Sequence, residues 1–256
     1  MASGGVHQAG AREHIENVKR EGLFYINQRG MFMEIIEAIR ARKSIRDFKP
    51  DPVPKKVLRE ILEVATRAPS AMNTQPWEFA VIAGDALKKI KEDNVAHLRS
   101  GAPAKVDHLV VGWPPDSVYR TRQVDLAKQI FTIMDIPRED KEKRAQWLER
   151  GFRFFDAPAA IIILADKTLS ESGPAVDIGA VMQTICLAAL THGLGTCIED
   201  QGILFSDVVR KYTGIPESKR IMIAIAIGYP NGDFPANRLE STRVSVENNT
   251  TWYGFE

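Results

Sequence analysis

Five cationic side chains lie within ten residues of one another: Arg40, Arg42, Lys43, Arg46 and Lys49. Asp47 is the only acidic residue among them. If this segment is helical, Arg42 and Arg46 share one face, where like charges cost about 0.2–0.5 kcal/mol. A bound phosphate offsets that cost, because both guanidinium groups and the Ser44 hydroxyl can donate hydrogen bonds to one anion. On the pattern alone, a solvated basic helix end is the stronger interpretation.

A second group of polar residues joins a predicted helix to a predicted strand between Ala68 and Trp77. Proline, serine and asparagine favour a tight turn in which side chains and main-chain amides form local hydrogen bonds. The same groups can line a ligand. Taken alone, the structural interpretation is the stronger one, with Asn73 in a left-handed turn and Trp77 in the core.

The third group is the polar turn Ile198–Asp200, which follows the most apolar stretch of the chain. The glycines before it do not form G-x-G-x-x-G, and the sequence contains no phosphate-loop motif, so a nicotinamide-binding Rossmann site is not predicted. His192 has no serine or cysteine partner nearby and is interpreted as a helix-end cation or a packed ring. His97 and His108 lack the spacing of metal ligands, so no metal site is predicted.

Hydrophobic periodicity and the placement of prolines predict the elements that position these groups. Helices are predicted from Met33 to about Phe48, from Pro54 to Ala68, through Leu87 and Ile90, from Ser117 to Met134, from Arg138 to Phe155, from Gly179 to Leu190 and from Leu204 to Tyr212. Strands are predicted over Trp77–Ile82, Ala159–Ala165, Thr196–Ile198 and Ile221–Ile227. The helix from Gly179 to Leu190 is apolar around its whole circumference, which predicts burial on every side.

The order of these elements predicts one domain. Residues 1–32 form a polar N-terminal extension, or arm, and residues 33–256 form a single domain of interleaved strands and helices, which indicates an α+β layer fold. Within that domain, residues 114–156 are heavily charged and are interpreted as a peripheral helical lid. The sequence contains no internal repeat.

The composition excludes several classes of protein. The chain has 256 residues, with 34 Lys and Arg against 33 Asp and Glu, so it has no overall positive field for nucleic acid. The most apolar stretch falls short of the ~20 residues that span a bilayer, and no secretory signal is recognised. Cys186 and Cys197 lack a disulfide or metal pattern. We therefore expect a cytoplasmic protein that binds neither nucleic acid nor membrane.

Four motifs in order give the chain a resemblance to a known family. They are Arg42-Lys43-Ser44-Ile45-Arg46, the Pro69-Ser70-x-x-Asn73-x-Gln75-Pro76-Trp77 block, Gly193-Leu194-Gly195-Thr196-Cys197 and Gly228-Tyr229-Pro230. Together they resemble the nitroreductase family from about Met33 to Phe255. The resemblance implies a three-layer α+β fold, with a central, mainly antiparallel sheet flanked by helices. It also implies an obligate homodimer with flavin mononucleotide (FMN) at the interface.

The resemblance also implies roles for individual residues. From one subunit, the flavin phosphate, ribityl chain and pyrimidine edge would be held by Arg42, Lys43, Ser44 and Arg46. From the other subunit, the same flavin would be reached by Pro69, Ser70, Ala71 and Asn73. The turn Ile198, Glu199 and Asp200 would lie beside the reactive flavin N5, with a backbone amide facing it. Of the late arginines, Arg243 is the best match for a residue that closes over the phosphate, and Arg238 is the second.

The implied activity is a ping-pong reaction in which NADH or NADPH reduces FMN and a nitroaromatic or quinone then takes two electrons. No protein acid–base pair is needed, because the flavin carries the chemistry. The residues around Gly173–Asp177 and Trp252–Phe255 are most similar to the nitrobenzoate-reductase-like branch. In that case Arg120 or Arg122 on the lid would pair with an aromatic carboxylate; the alternative is a solvated lid charge.

Three other interpretations stay open on the sequence. A flavin-dependent reductive dehalogenase or a flavin-modifying enzyme would share the same fold. A non-catalytic flavin-binding or sensor module would bind FMN without turnover. An interaction protein with a basic patch would bind no cofactor and would be colourless.

Overall fold

A four-stranded antiparallel sheet forms the centre of the molecule. The computed structural model describes residues 34–108 and 112–255. The strands are β1 (Glu78–Ala83), β2 (Ala159–Asp166), β3 (Gly195–Glu199) and β4 (Lys219–Gly228), in the spatial order β1-β2-β4-β3. The apolar run of β2 is buried along nearly its whole length, as expected for a strand covered on both faces. The predictions for all four strands are confirmed to within two residues at each end.

Seven helices surround this sheet in the described part of the chain. They are α1 (Ile35–Ala41), α2 (Lys55–Ala65), α3 (Gly84–Ser100), α4 (Val118–Ile133), α5 (Lys141–Phe152), α6 (Ala175–Thr191) and α7 (Ser206–Thr213). Ile161 of β2 packs with α2 and α6 on one face, whereas Ile162 packs with α3, α5 and α7 on the other. Alternation along the strand therefore feeds two separate cores, and the predicted three-layer arrangement is present.

The first helix ends earlier than the sequence predicts. Arg42 already has extended backbone, with φ −60° and ψ 124°, so the prediction of a helix to about Phe48 is wrong. Ser44 instead forms a parallel bridge with Thr196, and Phe48 forms an antiparallel bridge with Pro230. Pairing at the edge of the sheet supplies the backbone hydrogen bonds that a longer helix would have made. The helical like-charge cost therefore does not apply to this segment.

The second lid helix also ends early. The prediction that it continues to Phe155 is wrong, because α5 ends at Phe152 and residues 154–156 all have positive φ, between 52° and 62°. Pro158 follows, and the residue before a proline avoids helical backbone. The left-handed turn reverses the chain into β2 while it buries both Phe154 and Phe155. The lid is thereby joined directly to the core.

The long apolar helix α6 is covered on one side by its own chain. Val181, Ile185 and Ala189 are fully buried, whereas Met182 is half-buried and Val176 is 81% exposed. The sequence predicts that a dimer interface supplies part of the cover on this helix, and for the side that the single chain leaves open this stays a prediction.

The predicted arm of residues 1–32 lies outside the described residues. None of the described helices has both the length and the apolar character needed to cross a membrane.

Candidate functional site

An extended segment, residues 42–48, lies along the free edge of β3. The Ile45 amide donates to the Thr196 carbonyl at 2.9 Å, and the Lys49 amide donates to the Tyr229 carbonyl at 2.8 Å. Because successive side chains of extended backbone point to opposite sides, residues 42, 44 and 46 share one side. Arg42, Ser44 and Arg46, which the sequence predicts to bind a phosphate, can therefore lie on one side of an extended segment instead of on one face of a helix.

The other side of this segment faces a cavity of about 390 Å³. Lys43 and Arg238 both line it, together with the backbone of the turn after α6. Gly195 is required here, because a Cβ at this position would lie 2.5 Å from Ile45 Cγ1 and 2.8 Å from Pro230. The absence of a side chain lets the extended segment approach β3 closely.

The only carboxylate of the cationic segment, Asp47, is fully engaged. It forms an ion pair with Arg150 of α5 and accepts a hydrogen bond from Asn231 Nδ2 at 2.7 Å. Asn237 donates to the Asp47 carbonyl at 2.8 Å and accepts from the Arg46 amide at 2.6 Å. Sequence reasoning missed Arg150, Asn231 and Asn237, since they are more than a hundred residues away and belong to no recognised motif.

Because Asp47 binds Arg150 and Asn231, it does not pair with the neighbouring arginines of the segment. Within the described residues, neither Arg42 nor Arg46 forms an ion pair with a carboxylate. In the part of the chain that the structure describes, the Arg46 guanidinium donates one hydrogen bond, to the Ser44 carbonyl at 3.4 Å. Two arginines and a hydroxyl that share one side, with no acid to neutralise them, form a donor set suited to a phosphate.

The residues predicted as a polar turn, Ile198 to Asp200, lie at the end of β3: Ile198 and Glu199 are its last two residues, and only Asp200 follows the strand, so the prediction of a turn is wrong for the first two. The Glu199 side chain points into the core and is 7% exposed, and its Oε2 accepts from the Gly202 amide at 2.7 Å. Burial, opposed by the hydrogen bond from the Gly202 amide and assisted by the charge of Asp200, raises the pKa of Glu199 to about 8. Ile198 and Asp200 are half-buried.

The predicted loop from Pro69 to Asn73 does not join these groups within one chain. Its Ser70 Oγ accepts from the Gln75 amide at 2.9 Å, and its Ala71 amide donates to Asp177 at 3.3 Å. Asp177 lies in the first turn of α6. The segment 42–48 lies near the C-terminal end of the same helix, past the position of Cys186. Nine residues of helix separate Asp177 from Cys186 by about 13 Å. The loop itself is strained, because residues 72, 73 and 75 all have positive φ.

The remaining predicted arginines occupy different surroundings. Arg243 is exposed and donates only to neighbouring residues 241 and 242, whereas Arg238 lines the 390 Å³ cavity. Arg120 lines a cavity of about 850 Å³ between α4 and α5. Arg122 lies over the Tyr119 ring at 6.0 Å and does not line that cavity. Among the residues that the structure describes, no group of His, Cys, Asp and Glu is arranged to hold a metal ion.

These segments fall almost entirely within a single family match. A sequence model described as the nitroreductase family matches residues 39–229. The chain belongs to the nitroreductase family. The resemblance given by the four sequence motifs is thereby confirmed.

Curated relatives and solved structures of nitroreductases extend this match over most of the chain. A chloronitrobenzene nitroreductase of Comamonas testosteroni is 32% identical over 220 residues, which cover 85% of this chain and 96% of that protein. A 4-nitrobenzoate reductase of Pseudomonas putida is 28% identical, over 85% of this chain and 95% of that one. The FMN-dependent nitroreductase NfnB of Mycobacterium smegmatis, solved in complex with NADPH, aligns with a TM-score of 0.79 at 27% identity, over 85% and 97% of the two chains. The nitroreductase-like α+β fold predicted from the sequence is confirmed.

Replacement of Arg150 by alanine tests the network around Asp47 in this nitroreductase. The substitution leaves the Asp47 carboxylate, which is 16% exposed, without its cation. We expect a loss of about 2–4 kcal/mol in the free energy of unfolding, measured in urea. The matched control is Arg59→Ala, which breaks an ion pair with Glu63 in which the two side chains are 78% and 60% exposed, and it should cost about 0–1 kcal/mol. Equal losses in the two variants would contradict this account of the network.

Proposed function

We propose that this protein is an FMN-dependent NAD(P)H nitroreductase that acts as a cytoplasmic homodimer. The observation that carries the proposal is the uncompensated cationic side of residues 42–46 beside β3, in a chain of the nitroreductase family. An anionic, planar cofactor fits such a site better than a neutral one. When bound, FMN supplies the hydride chemistry, accepting electrons from the nicotinamide and passing them to the acceptor.

The chain's own part is to bind and orient. Arg42 and Ser44 supply donors for the phosphate and the ribityl chain, and Lys43 adds charge from the adjacent cavity. Arg46 supplies a fixed cation for the pyrimidine edge, where reduced flavin carries negative charge. The late arginine that closes over the phosphate is Arg243 or Arg238. Arg238 lines the cavity with Lys43, whereas Arg243 would have to be supplied by the exposed tail.

The turn Ile198–Asp200 orients the reactive edge. Since the Glu199 carboxyl is turned into the core, a backbone amide of Glu199 or Asp200 faces N5. A main-chain donor in a rigid turn stabilises a fixed flavin orientation without taking part in proton transfer. This agrees with the absence of an acid–base pair among the residues proposed to line the site.

A second copy of the chain completes the site. α1 exposes Ile35, Ile36 and Ile39, and the tail exposes large aromatic residues from Trp252 to Phe255. Apolar exposure of this extent marks a surface that another chain covers. In the homodimer, the loop with Pro69, Ser70, Ala71 and Asn73 reaches the flavin held by residues 42–46 of the other subunit, which makes dimerisation a condition of cofactor binding.

The acceptor is a nitroaromatic compound or a quinone. Relatives named for chloronitrobenzene and 4-nitrobenzoate support the nitroaromatic class. In the 850 Å³ cavity between α4 and α5, four cations face the single carboxylate of Asp135. Arg120 is one of these cations, and we propose that it pairs with the carboxylate of a nitrobenzoate.

The absorption spectrum of the purified protein, together with its sedimentation, tests the proposed function. We expect a yellow dimer that NADH or NADPH bleaches under nitrogen and that regains its colour when nitrobenzene is added. Product analysis should then show nitroso and hydroxylamine compounds. A colourless monomer that does not take up added FMN would refute the proposal, and a yellow dimer that turns over no acceptor would indicate a binding module.

Substitution of Arg42 by alanine tests the phosphate assignment. FMN and riboflavin differ only in the phosphate, so the variant should lose affinity for FMN by about tenfold to a hundredfold while its affinity for riboflavin stays unchanged. Flavin fluorescence quenching measures both dissociation constants. Lys49→Ala is the matched control, because it removes an exposed cation of the same cluster and should leave both affinities as they are. An equal loss for both flavins would show that Arg42 does not bind the phosphate.

Substitution of Arg120 by alanine tests the contact with the acceptor. We expect the KM for 4-nitrobenzoate to rise about tenfold, because a charged hydrogen bond to the carboxylate is lost, while the KM for nitrobenzene is unchanged. Arg122→Ala is the control, since Arg122 does not line the cavity. An unchanged KM for nitrobenzoate in the Arg120 variant would rule out the pairing.

A further inference from the structure

A carboxyl group lies buried directly behind the turn that is proposed to face the flavin. It belongs to Glu199, the last residue of β3, whose side chain shares the inner face of the strand with Cys197. Oε2 accepts the hydrogen bond from the Gly202 amide, and Oε1 is buried without a hydrogen-bond partner. Within the described residues, no lysine, arginine or histidine forms an ion pair with this carboxyl.

Close packing around Glu199 leaves no room to add a counter-charge. A Cβ placed on Gly202 would lie 2.7 Å from Glu199 Oε1 and 2.6 Å from the ring of Phe154. Phe154 is fully buried in the left-handed turn that follows α5. An ionised carboxylate between a glycine and an aromatic ring would be desolvated and unpaired, which is strongly unfavourable.

Asn94, which binds Gly202, also has an acceptor atom that lacks a hydrogen-bond donor. Asn94 Nδ2 donates to the Gly202 carbonyl at 2.8 Å and to the Phe152 carbonyl at 3.1 Å, while Asn94 Oδ1 is buried without a partner. A protonated Glu199 carries the O–H donor that a carboxylate lacks. Its neutral form therefore suits a region that already holds an unpaired acceptor.

The charged groups around Glu199 do not favour its ionised form. Asp200, next in sequence, disfavours a second negative charge, and burial raises the pKa of the Cys197 thiol to about 12, so that it stays neutral. On the elements packed against the turn, Arg150 and Asp156 pair with each other at 3.3 Å.

We propose that Glu199 is a positioning residue, held as a neutral carboxylic acid, whose hydrogen bond to Gly202 fixes residues 199–202 in the shape that meets the flavin. The flavin part of this inference rests on the proposed function. Ionisation of Glu199 would draw the side chain towards water and release the turn.

The direction of the pH effect follows from the pKa of Glu199, which burial raises from its ordinary value of 4.5 to about 8 in the folded protein. Below pH 4.5 the folded and unfolded chains both bind the proton. Between pH 4.5 and 8 only the folded chain binds it, so the stability of the fold decreases as pH rises and then levels off. In Glu199→Gln, the amide oxygen can still accept the hydrogen bond from Gly202, and the amide nitrogen can donate in place of the carboxylic O–H. The amide does not titrate.

The first experiment follows the thermal unfolding of the full-length protein without flavin, from pH 5 to pH 9.5. The expected result is that Glu199→Gln gains Tm relative to the wild type as pH rises to about 8, after which the difference is constant. Glu217→Gln, which removes a carboxylate that is 82% exposed, is the matched control and should parallel the wild type. Parallel curves for the wild type and Glu199→Gln would overturn the inference that Glu199 is neutral.

The second experiment measures the dissociation constant for FMN at pH 7 and pH 9. If only the neutral form holds the turn, a group with a pKa of about 8 weakens the affinity of the wild type by about tenfold over this range. Glu199→Gln should show no such loss, and Glu217→Gln should behave as the wild type.

Equal losses in all three proteins would overturn the positioning role. Failure of the wild type to bind FMN even at pH 7 would overturn the proposed function and the positioning role together, while the unfolding curves would still decide the protonation state.

Discussion

The commitment of Asp47 to Arg150 and Asn231 is the interaction on which the candidate site depends. Without it, Asp47 would be free to pair with the cations near it in sequence, Arg46 and Lys49, and the segment would be an ordinary charged loop. With it, the segment keeps an excess of positive charge on one side of extended backbone. Such an excess is costly unless a ligand balances it, so the fold prepares the site for an anion before the anion binds.

The same interaction joins the lid to the site. Arg150 belongs to α5, yet it also donates to the Arg46 carbonyl at 3.1 Å and lies over the Phe234 ring at 4.6 Å. Phe152, two residues later, is buried in the core. The charged region of residues 114–156 is therefore attached to the core at its C-terminal end.

Local sequence patterns correctly predicted the strands and helices that depend mainly on residues close together in the chain. The Ile161–Leu164 run predicted β2, and the Pro54 start with its apolar period predicted α2, because strand and helix periods are visible over a few residues. The end of α1 was not predictable, since it depends on the pairing of Ser44 with Thr196, 152 positions away. The Asn237 contact with Arg46 spans 191 positions, and it was not predictable for the same reason. Which cations stay unpaired is decided by such distant contacts.

Two carboxyl groups lie next to the site, those of Asp47 and Glu199. They affect the site differently because their surroundings differ. Asp47 lies where a guanidinium and an amide can reach it, and its contacts with both stabilise the fold. Glu199 lies behind Gly202 and Phe154, where no cation reaches it, so burial favours its neutral form. Together these arrangements leave positive charge at residues 42–46 and remove one of the two negative charges at residues 199 and 200. A cofactor that becomes more negative on reduction is stabilised by both, although the two carboxylates never touch it.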